Sequence, residues 1–233
     1  MAKDKTNKII EFRNVTRVFD DGDFGLKDVN FSIDKGEFVF IIGSSGAGKT
    51  TLMKHIVKED IPNEGSIIID RQDLSEIKRK DLPGVRRKVG YIHQDFKLLN
   101  SKTSFENVAL SLQVVGKTEK EINNIVPNLL HLVGIGNKSD QFPGSMSGGE
   151  KQRLAIARAL AHEPKILLAD EPTGNLDETS TWVVVDLIKK INKWGTTVLL
   201  GTHEMDIVKS INRRVIHLEK GEIVKDTGGK NKK

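Results

Sequence analysis

The 233-residue chain contains no cysteine, which excludes disulfides and any thiolate metal site. It also lacks an apolar run approaching the roughly 20 residues that a membrane-crossing helix needs. The longest such run is Phe38–Ile42, the length of a buried strand. The opening segment, Met1-Ala2-Lys3-Asp4-Lys5, has no apolar stretch behind it, so no signal peptide is expected and the chain is expected in the cytoplasm. No internal repeat and no low-complexity linker divides the sequence, which points to one domain over residues 1–233. With 37% hydrophobic and 30% charged residues, the balance is that of a globular rather than a disordered chain. Lys and Arg exceed Asp and Glu by only five, 37 against 32. An excess this mild reads more simply as solvated surface than as a footprint for nucleic acid or anionic lipid. The tail Gly228–Lys233 reads as a frayed end.

Short β-rich segments alternate with helical ones. Strands are expected at Ile9–Val15, Val29–Ile33, Glu37–Gly43, Ser66–Asp70, Val89–His93, Lys165–Asp170 and Thr196–Gly201. Val215–Glu219 and Glu222–Val224 resemble a closing hairpin around Lys220-Gly221. Apolar spacing predicts helices at about Lys49–Val57, Phe105–Val114, Lys120–Val133, Glu150–Ala161 and Thr179–Trp194. The alternation implies an α/β fold whose mixed, mostly parallel sheet is covered on both faces. The helical block from about Ser101 to Pro143 interrupts that alternation. It reads as an inserted subdomain which, with the following helix, occupies about 95–160.

The segment Gly43-Ser44-Ser45-Gly46-Ala47-Gly48-Lys49-Thr50 fits the P-loop pattern, with a strand before it and a helix after it. Glycines let the backbone curl so that its N–H groups face a polyanion, and the helix N-terminus adds partial positive charge. Lys49 can reach the β- and γ-phosphates of ATP. The Thr50 hydroxyl is a candidate Mg²⁺ ligand, and Thr51 completes the nucleotide contacts. A simple glycine-rich turn would explain the glycines but not the Lys-Thr pair.

Ile166–Ala169 is an apolar strand that ends in Asp170 and Glu171. A strand buried on both faces has little reason to end in adjacent like charges unless they face a site. Asp170 is placed to hold magnesium directly or through water, and Glu171 to polarise the attacking water as general base. Solvated carboxylates at a strand end are the bland alternative. Ser147-Gly148-Gly149-Glu150 has the form of a capping box. Two glycines in a first helical turn nevertheless cost about 1 kcal/mol each against alanine. Bare backbone there would admit a phosphate to the helix N-terminus, giving the chain a second anion site.

Met146–Arg158 resembles the signature motif and helix of the ABC ATPase family, and Ala169–Asp177 (ADEPTGNLD) resembles its Walker B and D-loop. That resemblance covers nearly the whole chain. It implies a P-loop NTPase fold of the ABC nucleotide-binding type, with an antiparallel β region at the N-terminus. It also implies a homodimer that sandwiches ATP between the P-loop of one copy and Ser147–Glu150 of the other. By the same resemblance, Gln94 is a glutamine near magnesium and His203 a switch histidine at the γ-phosphate. Asp177 is a residue crossing the dimer interface, and Phe19 stacks on adenine where tyrosine is commoner. The signature departs from the family's usual form in reading Met-Ser-Gly-Gly-Glu.

Gln94–Leu99, Leu82–Arg87, Phe142-Pro143 and the GNLD segment are most similar to the FtsE branch. That branch pairs with a membrane protein of FtsX type in cell division, which would place the chain on the inner face of the membrane. Phe96, Leu98 and Leu99 are then candidates for a groove that receives the partner, with ordinary core packing as the alternative. A lipoprotein-release or macrolide-type exporter ATPase shares these features. Nucleic-acid-linked relatives carry tandem cassettes, long coiled coils or zinc-binding cysteines, and the sequence has none of these; no nucleic acid partner is expected.

Overall fold

The computed structural model describes residues 7–228. The opening Met1–Lys5 and the basic tail beyond Gly228, both read above, lie outside the described residues. In chain order the elements are β1 (Lys8–Val18), β2 (Phe24–Asp34), β3 (Phe38–Ile42), α1 (Lys49–Ile56), β4 (Glu64–Ile69), β5 (Gln72–Asp73), α2 (Leu82–Arg86), β6 (Val89–Ile92), α3 (Ser104–Val114) and α4 (Glu119–Leu132). There follow α5 (Gly148–Leu160), β7 (Ile166–Asp170), α6 (Glu178–Lys193), β8 (Thr197–Thr202), α7 (Met205–Ile211), β9 (Arg214–Glu219) and β10 (Glu222–Asp226).

Two sheets result. The larger runs β10-β9-β3-β8-β7-β6. Its strands are parallel except for β10, which returns antiparallel on β9. The smaller, β2-β1-β4-β5, is wholly antiparallel. The central strands are buried throughout, as strands covered on both faces must be. Alternation along β3 sends Phe38, Phe40 and Ile42 to one side and Val39 and Ile41 to the other. The first side packs on α3, α4, α5 and α6, represented by Val108, Val126, Leu154 and Ile188. The second packs on the antiparallel sheet and α1, represented by Phe12, Ile33, Ile69 and Leu52. The helices α3 and α4 lie between β6 and β7, where the sequence predicts an insertion. Each starts with a capping box, Thr103 with Glu106 and Thr118 with Glu121.

The short helices α2 and α7 are additions to the sequence-based expectation. Seven residues or fewer give too little periodicity to register. Helix α5 starts two residues earlier than expected, because its two glycines are helical despite their poor propensity. Loops at the C-terminal ends of β3, β6, β7 and β8 converge on one edge of the large sheet, where open parallel sheets bind ligands.

Candidate functional site

The P-loop joins β3 to α1. Gly48 has φ 107°, and a Cβ there would lie 2.6 Å from the carbonyl oxygen of Gly25. Only glycine satisfies both the left-handed backbone and that close approach. No side chain caps α1, so the donors of its first turn stay available for an anion. Lys49 folds back over the loop. Its Nζ donates to the carbonyls of Gly43 at 2.8 Å and Ser44 at 3.1 Å, and lies 3.1 Å from Oε1 of Glu171. The other carboxylate oxygen of Glu171 lies 3.0 Å from Nδ1 of His203. Lys49 and Glu171 are both buried, whereas the His203 side chain is largely exposed. The P-loop, the end of β7 and the loop after β8 are thus stitched together by one lysine–carboxylate–imidazole chain.

Asp170 ends β7 and is 3% exposed, and its Oδ1 has no hydrogen-bond partner. A buried orphan carboxylate oxygen is costly and asks for a cation. Burial pushes the Asp170 carboxyl above the ordinary carboxylate range. The Glu171 charge adds to the rise, while the Thr50 hydroxyl and Lys49 oppose it. On β6, the Tyr91 phenol is pushed up by burial and by the Asp170 charge. With the Thr50 hydroxyl beside it, Asp170 forms a donor pair suited to a hard divalent cation such as Mg²⁺. Glu171 adopts φ 46°, a left-handed value that marks local strain at the strand end.

A cavity of about 400 Å³ connects these parts. Phe19, Phe24 and Gly25 line it at the β1–β2 hairpin. Ser44–Gly46 and Gly48–Thr51 form its floor, and Gln94, Glu171 and His203 lie across from them. The side chain of Ala47, one of the expected P-loop contacts, is buried. Gly43 borders a neighbouring recess of about 520 Å³. That recess is larger, but its walls include Met205, Val208 and Val215, and it lacks the lysine and carboxylates. The smaller space, which holds Lys49 and Glu171, is the candidate site.

None of Ser147–Glu150 lines this cavity. Ser147 caps α5, accepting from the Glu150 N–H at 3.3 Å, while its own N–H donates to the Glu150 carboxylate at 2.9 Å. Glu150 also pairs with Lys138 at 3.0 Å. Gly149 has a reason within the chain that the sequence did not reveal: a Cβ there would lie 2.6 Å from Ser180 Oγ, on α6. Gly148 is exposed and meets only ordinary contacts. Asp177 caps α6, with its oxygens accepting from the Ser180 N–H and hydroxyl, both at 2.8 Å.

The ABC transporter family model matches residues 26–174. The chain belongs to the ABC transporter family. It is 44% identical over 218 residues to the cell division ATP-binding protein FtsE of Streptococcus pneumoniae, covering 94% of this chain and 95% of that one. It is 46% identical over 220 residues to the methionine import ATP-binding protein MetN of Vibrio vulnificus, but spans only 64% of that protein. Among solved structures it superposes with TM-score 0.87 on the dimeric ATP-binding cassette MJ0796 in a post-hydrolysis state with ADP and Pi. That match is 34% identical and covers 94% of this chain and 97% of that one. The protein is an ABC ATPase, which hydrolyses ATP.

Of the three groove candidates in this ABC ATPase, Leu98 packs against the core, Phe96 is half-buried and Leu99 is exposed. Core packing accounts for Leu98. Three features of the loop after Gln94 escape sequence reasoning. Phe96 and Lys97 both take left-handed φ, 59° and 50°. Arg158 of α5 donates to their carbonyls, to Phe96 at 2.8 Å and to Lys97 at 2.5 Å. Buried Asn107 clamps the backbone of Leu99, accepting from its N–H at 2.9 Å and donating to its carbonyl at 3.1 Å. One signal was available: Arg158 is a lone cation on an otherwise apolar helix stretch. A further link, from the Thr173 hydroxyl to the Glu204 carboxylate, ties the segment after Glu171 to the loop after β8. Nothing in the spacing of those two residues announces it.

Proposed function

We propose that this ABC ATPase is the nucleotide-hydrolysing half of an FtsEX-type membrane complex. It would sit on the cytoplasmic face of the cell membrane beside an FtsX-type partner. Two copies close head to tail on ATP, each setting its Ser147–Glu150 helix against the nucleotide on the other's P-loop, and hydrolysis reopens them. The motion passes through the membrane partner to control peptidoglycan hydrolysis during cell division. The observation that carries this reading is the end-to-end likeness to a cell division ATP-binding protein. The MetN likeness is as high in identity but leaves about a third of that protein without a counterpart.

Within the site, Lys49 and the first turn of α1 hold the β- and γ-phosphates. Thr50, Asp170 and Gln94 would hold Mg²⁺, which neutralises charge on the phosphates. Glu171, released from Lys49 by the incoming nucleotide, accepts a proton from the attacking water, and His203 steadies the γ-phosphate. Phe19 stacks on the base. The loop carrying Phe96 and Leu99 faces the membrane partner. The separation of the Ser147 helix from the chain's own nucleotide cavity supports a site completed only by a second copy.

The test is co-purification from membranes of cells expressing a tagged chain. An FtsX-type protein is expected in the eluate, together with a division defect on depletion. Recovery of a methionine-import or lipoprotein-release permease in its place would overturn the cell-division role while leaving the ATPase intact.

A further inference from the structure

We infer that Lys138 is a positioning residue for the front of α5: it neutralises Glu150, a carboxylate at the helix end offered to the nucleotide phosphates of a second copy. The inference rests on the head-to-tail reading of the ATP-bound pair.

The conflict that Lys138 resolves is visible within the chain. Helix α5 begins with two glycines, the first of them exposed. Such an end attracts an anion through its free N–H groups and its partial positive charge. Glu150 is the acidic residue of that first turn. For the helix alone it is favourable, since its carboxylate accepts from the Ser147 N–H at 2.9 Å and complements the dipole. For an incoming polyanion it is unfavourable, because it cancels part of that same positive charge and repels phosphate. A glutamine could make the capping bond without a charge. Capping therefore accounts for the oxygen at position 150 and not for its charge.

Lys138 supplies the opposite charge. It closes the 3₁₀ turn Gly136–Lys138, which follows α4. Its Nζ lies 3.0 Å from Oε1 of Glu150, while Oε2 holds the Ser147 N–H, so both carboxylate oxygens are engaged. The same ammonium donates to Oε1 of Gln141 at 3.4 Å, which steadies it over the helix front. The Lys138 and Glu150 side chains are 25% and 19% exposed, so the pair is less screened than one in open solvent. The Ser147 N–H and then Lys138 hold the Glu150 carboxyl below the ordinary carboxylate range, against the opposing effect of burial. Glu150 is thus ionised at neutral pH, and its charge is one that a phosphate meets unless a cation offsets it. An ion pair near the surface adds little to stability. Its consequence falls instead on the approach of a second anion.

The test is turnover of the full chain against protein concentration, with AMP-PNP binding to the monomer measured separately. Lys138→Met should raise the protein concentration for half-maximal turnover about tenfold, through like-charge repulsion across the interface. Monomer binding of AMP-PNP should stay within about twofold and the melting temperature nearly unchanged, as for loss of a partly exposed ion pair. Glu150→Gln removes the charge and keeps the cap, so adding it to Lys138→Met should restore parent turnover. Lys138→Arg should keep parent turnover. Added salt should shrink the Lys138→Met defect, because screening weakens the repulsion. The inference fails if Lys138→Met turns over like the parent at every concentration, or if Glu150→Gln does not rescue it. An unrescued loss that follows a lowered melting temperature would make the pair a structural contact only. Parent turnover in strict proportion to protein concentration, with sedimentation showing monomer throughout, would instead overturn the head-to-tail reading, whatever Lys138 does.

Discussion

Replacing Glu171 by Gln should tighten ATP binding by a single chain as well as stop its hydrolysis. Lys49 is fully engaged within the chain. Its three protons are taken by Gly43, Ser44 and the Glu171 carboxylate, the last at 3.1 Å between two buried groups. On the proposed assignment of Lys49 to the phosphates, ATP displaces that carboxylate. A hydrogen bond to a charged acceptor contributes about 1.5–3 kcal/mol and a neutral one about 0.5–1.5 kcal/mol. Glutamine keeps an oxygen toward Lys49 but loses the charge, and also removes a negative neighbour from the γ-phosphate. The competitor is thus weakened by about 1–2 kcal/mol, which is roughly fivefold to thirtyfold in affinity. The measurement is calorimetric titration with AMP-PNP at a protein concentration where sedimentation shows monomer, so that dimer closure adds nothing. Turnover measured separately should fall at least about a hundredfold, the contribution of a positioned general base. Equal or weaker binding by Glu171→Gln would refute the competition between carboxylate and phosphate. Turnover at the parent rate would refute the assignment of the base.

Ser147→Arg should keep monomer ATP binding and abolish turnover, read by the same titration and by phosphate release; loss of binding would mean a site contained in one chain. Gly149→Ala should lower the melting temperature despite alanine's better helix propensity, because the new Cβ falls 2.6 Å from Ser180 Oγ. Overpacking costs about 1–3 kcal/mol, and pairing the change with Ser180→Gly should recover part of it in a thermal melt. Asp170→Asn should raise the melting temperature of the nucleotide-free chain at neutral pH. Burial lifts the Asp170 carboxyl in the fold, so the protonated form favours folding at low pH and ionisation costs stability as pH rises through the lifted value. Across a pH series the gain from asparagine should therefore grow from acid toward neutral pH, while turnover with Mg²⁺ is lost.

The sheet and its cargo of motifs were legible because their signals are local. The glycine-rich run sits between strand and helix, and the apolar run Ile166–Ala169 ends in two carboxylates. What escaped was contact between segments far apart in sequence. Lys49 meets Glu171, and Arg158 meets the carbonyls of Phe96 and Lys97, through pairings that only the tertiary fold creates. Gly149 shows the same limit. Its conflict with helix propensity was plain in the sequence, and the Ser180 side chain that demands it was not. The helices α2 and α7 were missed because one or two turns carry no periodicity to read.

The Arg158 fork has a mechanical consequence. It rivets the α5 rod, whose tip is the glycine-fronted end, to the backbone of the loop that follows Gln94. In the proposed head-to-tail pair, a protein leaning on that loop would tilt a lever whose far end fronts the second copy. Pressure applied on one molecule would be felt as a change in fit at the other, so a membrane-borne load could throttle catalysis without ever touching a phosphate.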